Sequence, residues 1–201
     1  MESIESSRYE IRQATLEDIP ELIRMQVALQ KDMDGIRENL LRPGQTNVAA
    51  LREYYSARIR DEQTQMLVAL PTESSRAVGM GAGKIWLHAD YLPPRSGELI
   101  DIWIDPEHRR KNLARRIIAH LLRFFRLNRV DFLVVSYVEG NGIGESLWKR
   151  LRFEPVLVTA TADRKEVEES LQMPVRRVAP LAYHTTLAGR SRISMTPAPV
   201  V

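Results

Sequence analysis

The sequence predicts a mixed α/β fold, with antiparallel strands first and strand–helix–strand units later. Three observations carry that reading. Runs at 65–70, 77–87 and 98–104 read as strands bounded by turn residues. Leu113, Ala114, Ile117, Ile118, Leu121, Leu122 and Phe125 form a broad stripe at helical spacing. The order along the chain is β-α-α-β-β-β-α-β-α-β with a final strand, and no internal repeat appears.

Taken in order, Tyr9-Glu10-Ile11-Arg12 is a short strand. Thr15 can cap the helix that follows, with Asp18 three positions on as a shortened capping box. Ile19, Leu22, Ile23 and Met25 or Gln26 form its apolar stripe. A loop around Arg42-Pro43-Gly44 leads to a second helix, VAALREYYSARIRDE. Gln65 to Leu70 and Ala77 to Leu87 are strands joined by a turn over Pro71 to Ser75.

Tyr91 to Ser96, with Pro93-Pro94, is a loop. Glu98 to Ile104 alternates as a strand and stops at Asp105-Pro106, since the residue before proline disfavours helix. Asp131 to Tyr137 is almost wholly apolar and is expected to be a strand buried on both faces. Gly140-Asn141-Gly142 turns into the helix IGESLWKRL, and Phe153 to Ala160 is expected to be another strand. RKEVEESLQ reads as a short helix and Val175 to Leu181 as a last strand. Residues 1–8 are expected to be a tail, 9–181 one domain, and 182–201 a loose tail without periodicity.

With 44% hydrophobic and 27% charged residues over 201 positions, the composition is that of a globular chain. No cysteine is present, which excludes disulfides, thiol nucleophiles and thiolate-ligated metals. The opening MESIESSRYE has no apolar run, and no uncharged stretch nears the ~18 residues of a membrane helix. A cytoplasmic location is the expectation.

The segment IDPEHRRKNLARRI places Arg109, Arg110, Lys111, Arg115 and Arg116 at the start of an apolar helix, where the backbone dipole favours acids instead. A solvated basic face is one reading. Nucleic-acid binding is a second, since residues 105–129 hold eight Lys or Arg against two acids. However, the Leu/Ile stripe with Phe124 and Phe125 makes this helix a core element without a reading head. The third reading is an anion held by free N–H groups of the first helical turn. Ile104, Pro106, Arg109, Asn112 and Ala114 supply the order such a junction needs.

Arg109-Arg110-Lys111-Asn112-Leu113-Ala114 resembles the acyl-CoA pyrophosphate loop of the GNAT superfamily of N-acetyltransferases, whose motif is Arg/Gln-x-x-Gly-x-Gly/Ala. Asn112 replaces the first glycine, and asparagine is the non-glycine residue most at ease in left-handed backbone. Downstream, Asn141, Leu147, Leu151 and Phe153 match the family's Asn-x-x-Ala-x-x-Leu-Tyr-x-x-Leu-Gly-Phe, with Gly144, Trp148 and Arg152 substituted. EIRQATLEDIPEL is similar to the family's first strand and helix, so the resemblance spans roughly residues 9–158.

The resemblance implies a mostly antiparallel mixed sheet splayed around a site for acetyl-CoA, a co-substrate, with no metal. It implies that backbone groups of Ile102, Trp103 and Ile104 pair with the pantetheine arm. It assigns the pyrophosphate to N–H groups of Arg109, Arg110, Lys111, Asn112, Leu113 and Ala114, with Arg115 beside them. Asn141 becomes a further pantetheine contact. The reaction it implies is acetyl transfer to a primary amine by direct attack; the alternative is a CoA-binding or regulatory module of the same fold.

An ammonium with a reference pKa of about 10.4 must lose a proton before it attacks. The resemblance places the carboxylate for this at Glu98, with Asp101 as second candidate. Strand alternation puts the two on opposite faces. Trp148 stands where the family has a tyrosine beside the CoA sulfur, and an indole N–H donates a hydrogen bond but is no useful acid. Another group, water or no enzyme acid serves the thiolate; Tyr137 is the nearby hydroxyl retained as a catalytic candidate.

Other motifs fall away. GMGAGK lacks the first glycine of a phosphate loop, and GNGIGES comes too late for a dinucleotide turn. The four histidines show no metal-ligand spacing. The expected acceptor is an amine on a small molecule, peptide or protein, lying against residues 30–64, the Tyr91–Ser96 loop and the C-terminal segment. Neither nucleic acid nor membrane is an expected partner, and a homodimer is compatible with the sequence.

Overall fold

The structure, a computed structural model, describes residues 8–34, 36, 47–90 and 92–172. The chain divides into two compact units, Met1–Thr161 and Ala162–Val201. The first holds strands β1 (Tyr9–Gln13), β2 (Thr64–Pro71), β3 (Gly79–Leu87), β4 (Arg95–Ile104) and β5 (Leu133–Val135). Its helices are α1 (Ile19–Asp34), α2 (Val48–Arg60), α3 (Leu113–Leu127) and α4 (Gly142–Arg150). In the second unit, Arg164–Gln172 forms the expected helix α5, with an Arg164–Glu168 ion pair one turn apart.

The sheet runs β1-β2-β3-β4-β5, antiparallel throughout except that β5 lies parallel to β4. It is the mixed, mostly antiparallel sheet that was expected. One face carries α1 and α2, over a core of Leu22, Met25, Tyr55, Met66, Val68, Met80 and Trp103. The other carries α3, whose Ile117, Leu121 and Phe125 meet Leu67, Ile85, Leu99 and Ile104.

Local chemistry explains the ends of these elements. Asp18 accepts the Thr15 N–H at 2.7 Å and both Arg12 amino groups at 2.7 and 2.8 Å, which anchors the entry to α1. Burial opposes ionisation of Asp18, but these donors outweigh it and hold the carboxyl below its ordinary range. Asn47 caps α2 by accepting the Ala50 N–H at 3.0 Å.

The GMGAGK run lies in β3, and its glycines face α3. A Cβ at Gly81 would lie 2.6 Å from both Ile102 Cδ1 and Ile117 Cγ2, and one at Gly83 would lie 2.8 Å from Phe125 Cζ. These positions are bare because the helix packs directly on the strand backbone.

Two strand expectations need correction. Asp131–Tyr137 yields only Leu133–Val135, whose side chains are half-buried, and Phe132 is exposed. Here β5 is the last strand of the sheet among the described residues, so its apolar character does not come from burial on two faces. Phe153–Ala160 forms no strand: Val156, Leu157 and Val158 are 82%, 54% and 86% exposed. Their β-branched composition favours extended backbone, but a strand needs a ladder partner, and none is paired here among the described residues. Val175–Leu181 and the 182–201 tail lie outside the described residues, as do most of 1–8 and much of the Arg42-Pro43-Gly44 loop.

Candidate active site

β4 organises the site. β5 pairs only with Gly97, Glu98 and Leu99, so the strand runs past its neighbour from Ile100 to Ile104. That offset leaves room for an extended ligand beside Ile102, Trp103 and Ile104. The three residues differ in their side-chain duties. Ile102 and Ile104 pack toward α3, whereas Trp103 is buried under α1 and donates its Nε1–H to Asp32 Oδ2 at 3.0 Å.

A bulge interrupts β4. Met80 opposes Trp103 while Ala82 opposes Ile100, so Gly81 faces two residues, and Asp101 takes φ 53°. The extra residue resets the alternation, which corrects the expectation that Glu98 and Asp101 face opposite ways. Glu98 shares the parity of Ile100, which packs on the α1/α2 side, and Asp101 meets Arg58 of α2 on that same side at 3.9 Å. The Tyr54 hydroxyl, on α2, responds to both carboxylates.

These groups form a polar cluster. Glu98 Oε2 accepts the Trp86 indole N–H at 2.8 Å and lies opposite Lys84 in register. Lys84 Nζ lies 4.3 Å from the centre of the Trp86 ring, and the Arg58 guanidinium 4.2 Å from that of Tyr54. Trp86 and Tyr54 are both half-exposed and wall the cluster. Burial pushes the Asp101 carboxyl above its ordinary value; Arg58 opposes that and Glu98 reinforces it. Burial also pushes Tyr54 up to about 12, with Asp101 adding to the effect.

Arg58, Tyr54 and Trp86 were not foreseen. Tyr54 and Arg58 stand four apart on one helix, a spacing that signals a shared face. No local pattern ties that face to a strand some forty residues away.

The second part of the site is the turn between β4 and α3. Asn112 adopts φ 59°, ψ 9°, the left-handed conformation that a glycine would supply, and Arg110 joins it at φ 62°. Left-handed residues interleaved in a turn ahead of a helix are the backbone pattern of an anion nest. Leu113 is buried, Lys111 and Ala114 are half-buried, and Arg110, Asn112 and Arg115 are exposed. Residues of this kind fit a pyrophosphate: free N–H groups, a small Ala114, and cations at the rim.

Arg109 is spent otherwise. Its Nε donates to the Ile104 carbonyl at 2.9 Å and its Nη2 to Asp32 at 2.6 Å, so its charge is paired within the protein. Asp32 thus ties the last turn of α1 to the end of β4.

The remaining sequence candidates are placed apart. Asn141 caps α4, its Oδ1 accepting the Gly144 N–H at 3.1 Å. Trp148 is buried and packs edge-on to Phe153, ring centres 5.5 Å apart. Tyr137 packs on the α3-side core rather than with Glu98 and Asp101. Among the described residues no group of three or more His, Asp or Glu is placed to hold a metal, and no helix is long and apolar enough to cross a membrane.

Solved structures share this architecture. A predicted acetyltransferase of Clostridium acetobutylicum, solved with acetyl-CoA, superposes with TM-score 0.65 at 14% identity, covering 79% of this chain and 97% of its own. An aminoglycoside 6'-N-acetyltransferase of Acinetobacter haemolyticus gives 0.60 at 14%, covering 77% and 97%. A glucosamine-6-phosphate N-acetyltransferase of Arabidopsis thaliana gives 0.57 at 12%, covering 78% and 98%. Identities this low establish the fold alone. A search of functionally curated proteins returns no match.

A sheet between two helical layers, opened beside β4, thus defines an acetyltransferase fold. The acetyltransferase (GNAT) family model matches residues 36–153, more than half of the chain, and the protein belongs to that family. Acetyl transfer from acetyl-CoA is the general activity of its members.

Proposed function

We propose that this chain transfers an acetyl group from acetyl-CoA to a primary amine, by direct attack while both are bound. The observation that carries the reading is the left-handed turn at Arg110 and Asn112, set between the open edge of β4 and the start of α3. The N–H groups from Arg110 to Ala114 bind the pyrophosphate, the Arg109 N–H being taken by the Pro106 carbonyl at 3.3 Å, and Arg110 and Arg115 offset its charge. Backbone groups of Ile102 to Ile104 align the pantetheine arm, with Asn141 beyond them. Acetyl-CoA supplies an activated thioester carbonyl. The chain orients that carbonyl along β4, and a β4 carboxylate, Glu98 or Asp101, takes the proton that the amine sheds.

The acceptor, a small-molecule amine or a peptide, lies over the face bearing Tyr54, Trp86 and Glu98. A CoA-binding module without turnover is the second reading. It is favoured by Trp148, which is buried in the core where family members present a tyrosine hydroxyl.

A ligand bound only by the native state must raise apparent stability. A thermal-shift titration with acetyl-CoA should therefore raise Tm, and no shift at excess ligand would end both readings. Screening amines and peptides for release of free thiol then separates the enzyme from the module.

A further inference from the structure

We propose that Asp101, rather than Glu98, receives the acceptor's proton, and that Arg58 is the residue that positions it. The inference rests on the acetyl-transfer reading and names a group and a partner within that same site.

The backbone is the first argument. Asp101 holds φ 53° in mid-strand, a conformation that most side chains resist and aspartate tolerates, and left-handed non-glycine residues persist where the surroundings enforce them, often at functional sites. The bulge turns the Asp101 side chain onto the face where Glu98, Tyr54 and Trp86 gather. It lies two residues past Leu99, the last β4 residue paired with β5, beside the slot expected for the thioester.

The second argument is an ion pair that is not closed. Arg58 Nη1 and Asp101 Oδ2 lie 3.9 Å apart, and each is a buried atom with no hydrogen-bond partner. A pair kept only for structure would gain by closing to hydrogen-bond distance, because buried charges otherwise stay undercompensated. Arg58 is held off by stacking on Tyr54 at 4.2 Å. The carboxyl therefore has a cation near enough to favour its ionised form, yet its Oδ2 accepts no hydrogen bond. Glu98 differs: its Oε2 is already bonded to the Trp86 indole, which suits a wall of the acceptor site.

The charged and titratable groups facing Asp101 are Arg58, Tyr54 and Tyr55 on α2 and Glu98 on its own strand. Burial is the largest influence and raises the carboxyl, Arg58 lowers it and Glu98 raises it. Burial also pushes both tyrosines up, so their hydroxyls stay neutral. A carboxylate raised above its usual range is a better match to an ammonium than an ordinary surface one.

The step balances simply. The ammonium first gives one proton to the Asp101 carboxylate; the freed amine forms the C–N bond, and the C–S bond breaks with its electron pair going to sulfur. The second nitrogen proton passes through water to the thiolate, and water later takes the first from Asp101.

The test is the pH dependence of kcat with acetyl-CoA and an amine the wild type turns over. Asp101→Asn should lower kcat about 10²-fold while keeping the acetyl-CoA thermal shift. A base must be ionised, so the acidic limb follows its carboxyl. Arg58→Met removes a cation and should move the limb to higher pH. Glu98→Gln removes a like charge, and the limb should survive at lower pH even if kcat falls. Loss of the limb in Glu98→Gln, with Asp101→Asn near wild type, would assign the proton to Glu98 instead. An unmoved limb in Arg58→Met would refute the positioning role.

Carbon-13 NMR of the Asp101 carboxyl reads the same two opposed shifts without turnover. Absence of turnover with every amine would therefore strike the acetyl-transfer reading, while the NMR titration still judges the Arg58–Asp101 pair.

Discussion

Gly81→Ala tests whether the bare face of β3 sets the distance between the sheet and the turn that opens α3. The added methyl would sit 2.6 Å from Ile102 Cδ1 and Ile117 Cγ2. Carbon atoms in contact prefer about 3.5–4.0 Å, so each contact must open by about 1 Å. Ile102 can turn its terminal methyl away. Ile117 cannot, because its Cγ2 is one bond from a β-branched carbon with one favoured helical rotamer. The helix itself must therefore move. Overpacking of this kind costs about 1–3 kcal/mol. In a domain of this size each kcal/mol lowers Tm by about 2–4 °C, so a fall of about 2–12 °C is expected.

Because the Asn112 turn immediately precedes the first residue of α3, the same displacement should weaken acetyl-CoA binding, read as a smaller ligand-induced Tm rise. Gly142→Ala is the control, since a Cβ there meets nothing within 4 Å. It should leave Tm level or raise it slightly. If Gly81→Ala proves as stable as Gly142→Ala, with an equal acetyl-CoA shift, the spacing argument is wrong.

Two further outcomes are expected. At Asn112, φ 59° is costly for a β-branched residue and free for glycine. Asn112→Val should weaken acetyl-CoA binding about tenfold, at ~1–2 kcal/mol for the strained backbone, and Asn112→Gly should bind as well as wild type or better, both measured by calorimetry. Asp18 has its carboxyl held low by Arg12 and Thr15 against the opposing effect of burial, so its contribution is present above the ordinary carboxylate range. It is lost as pH falls through the lowered folded value. Asp18→Asn should cost about 1–2 kcal/mol at pH 7, discounted for the part-exposed Arg12, and the difference should shrink below pH ~4 in denaturant titrations.

Much of the site was legible in short stretches of sequence, where a residue's role follows from its immediate neighbours. Asn112 was readable as a left-handed residue because few side chains tolerate that backbone, and Thr15 with Asp18 was readable as a helix entry. The α3 stripe followed from spacing alone. Arg110 was legible as part of the same turn, but not its left-handed backbone, since nothing in an arginine advertises positive φ.

What the chain could not show locally was decided by register and pairing. Alternation placed Glu98 and Asp101 on opposite faces, but one extra residue against Gly81 turned Asp101 onto the same side. The apolar runs at 131–137 and 153–160 matched strand composition, yet a strand exists only where a neighbour completes its ladder, and pairing reached just Leu133–Val135. GMGAGK lacks the first glycine of a phosphate loop, but only the packing of α3 explains why its glycines are bare. Sequence determined this protein's family, its left-handed turn at Asn112 and its helical stripe, because each depends on residues close in the chain. Only the tertiary structure brought Arg58 and Tyr54 to Asp101 and turned Arg109 onto Asp32, because contacts across 43 and 77 positions leave no local signature.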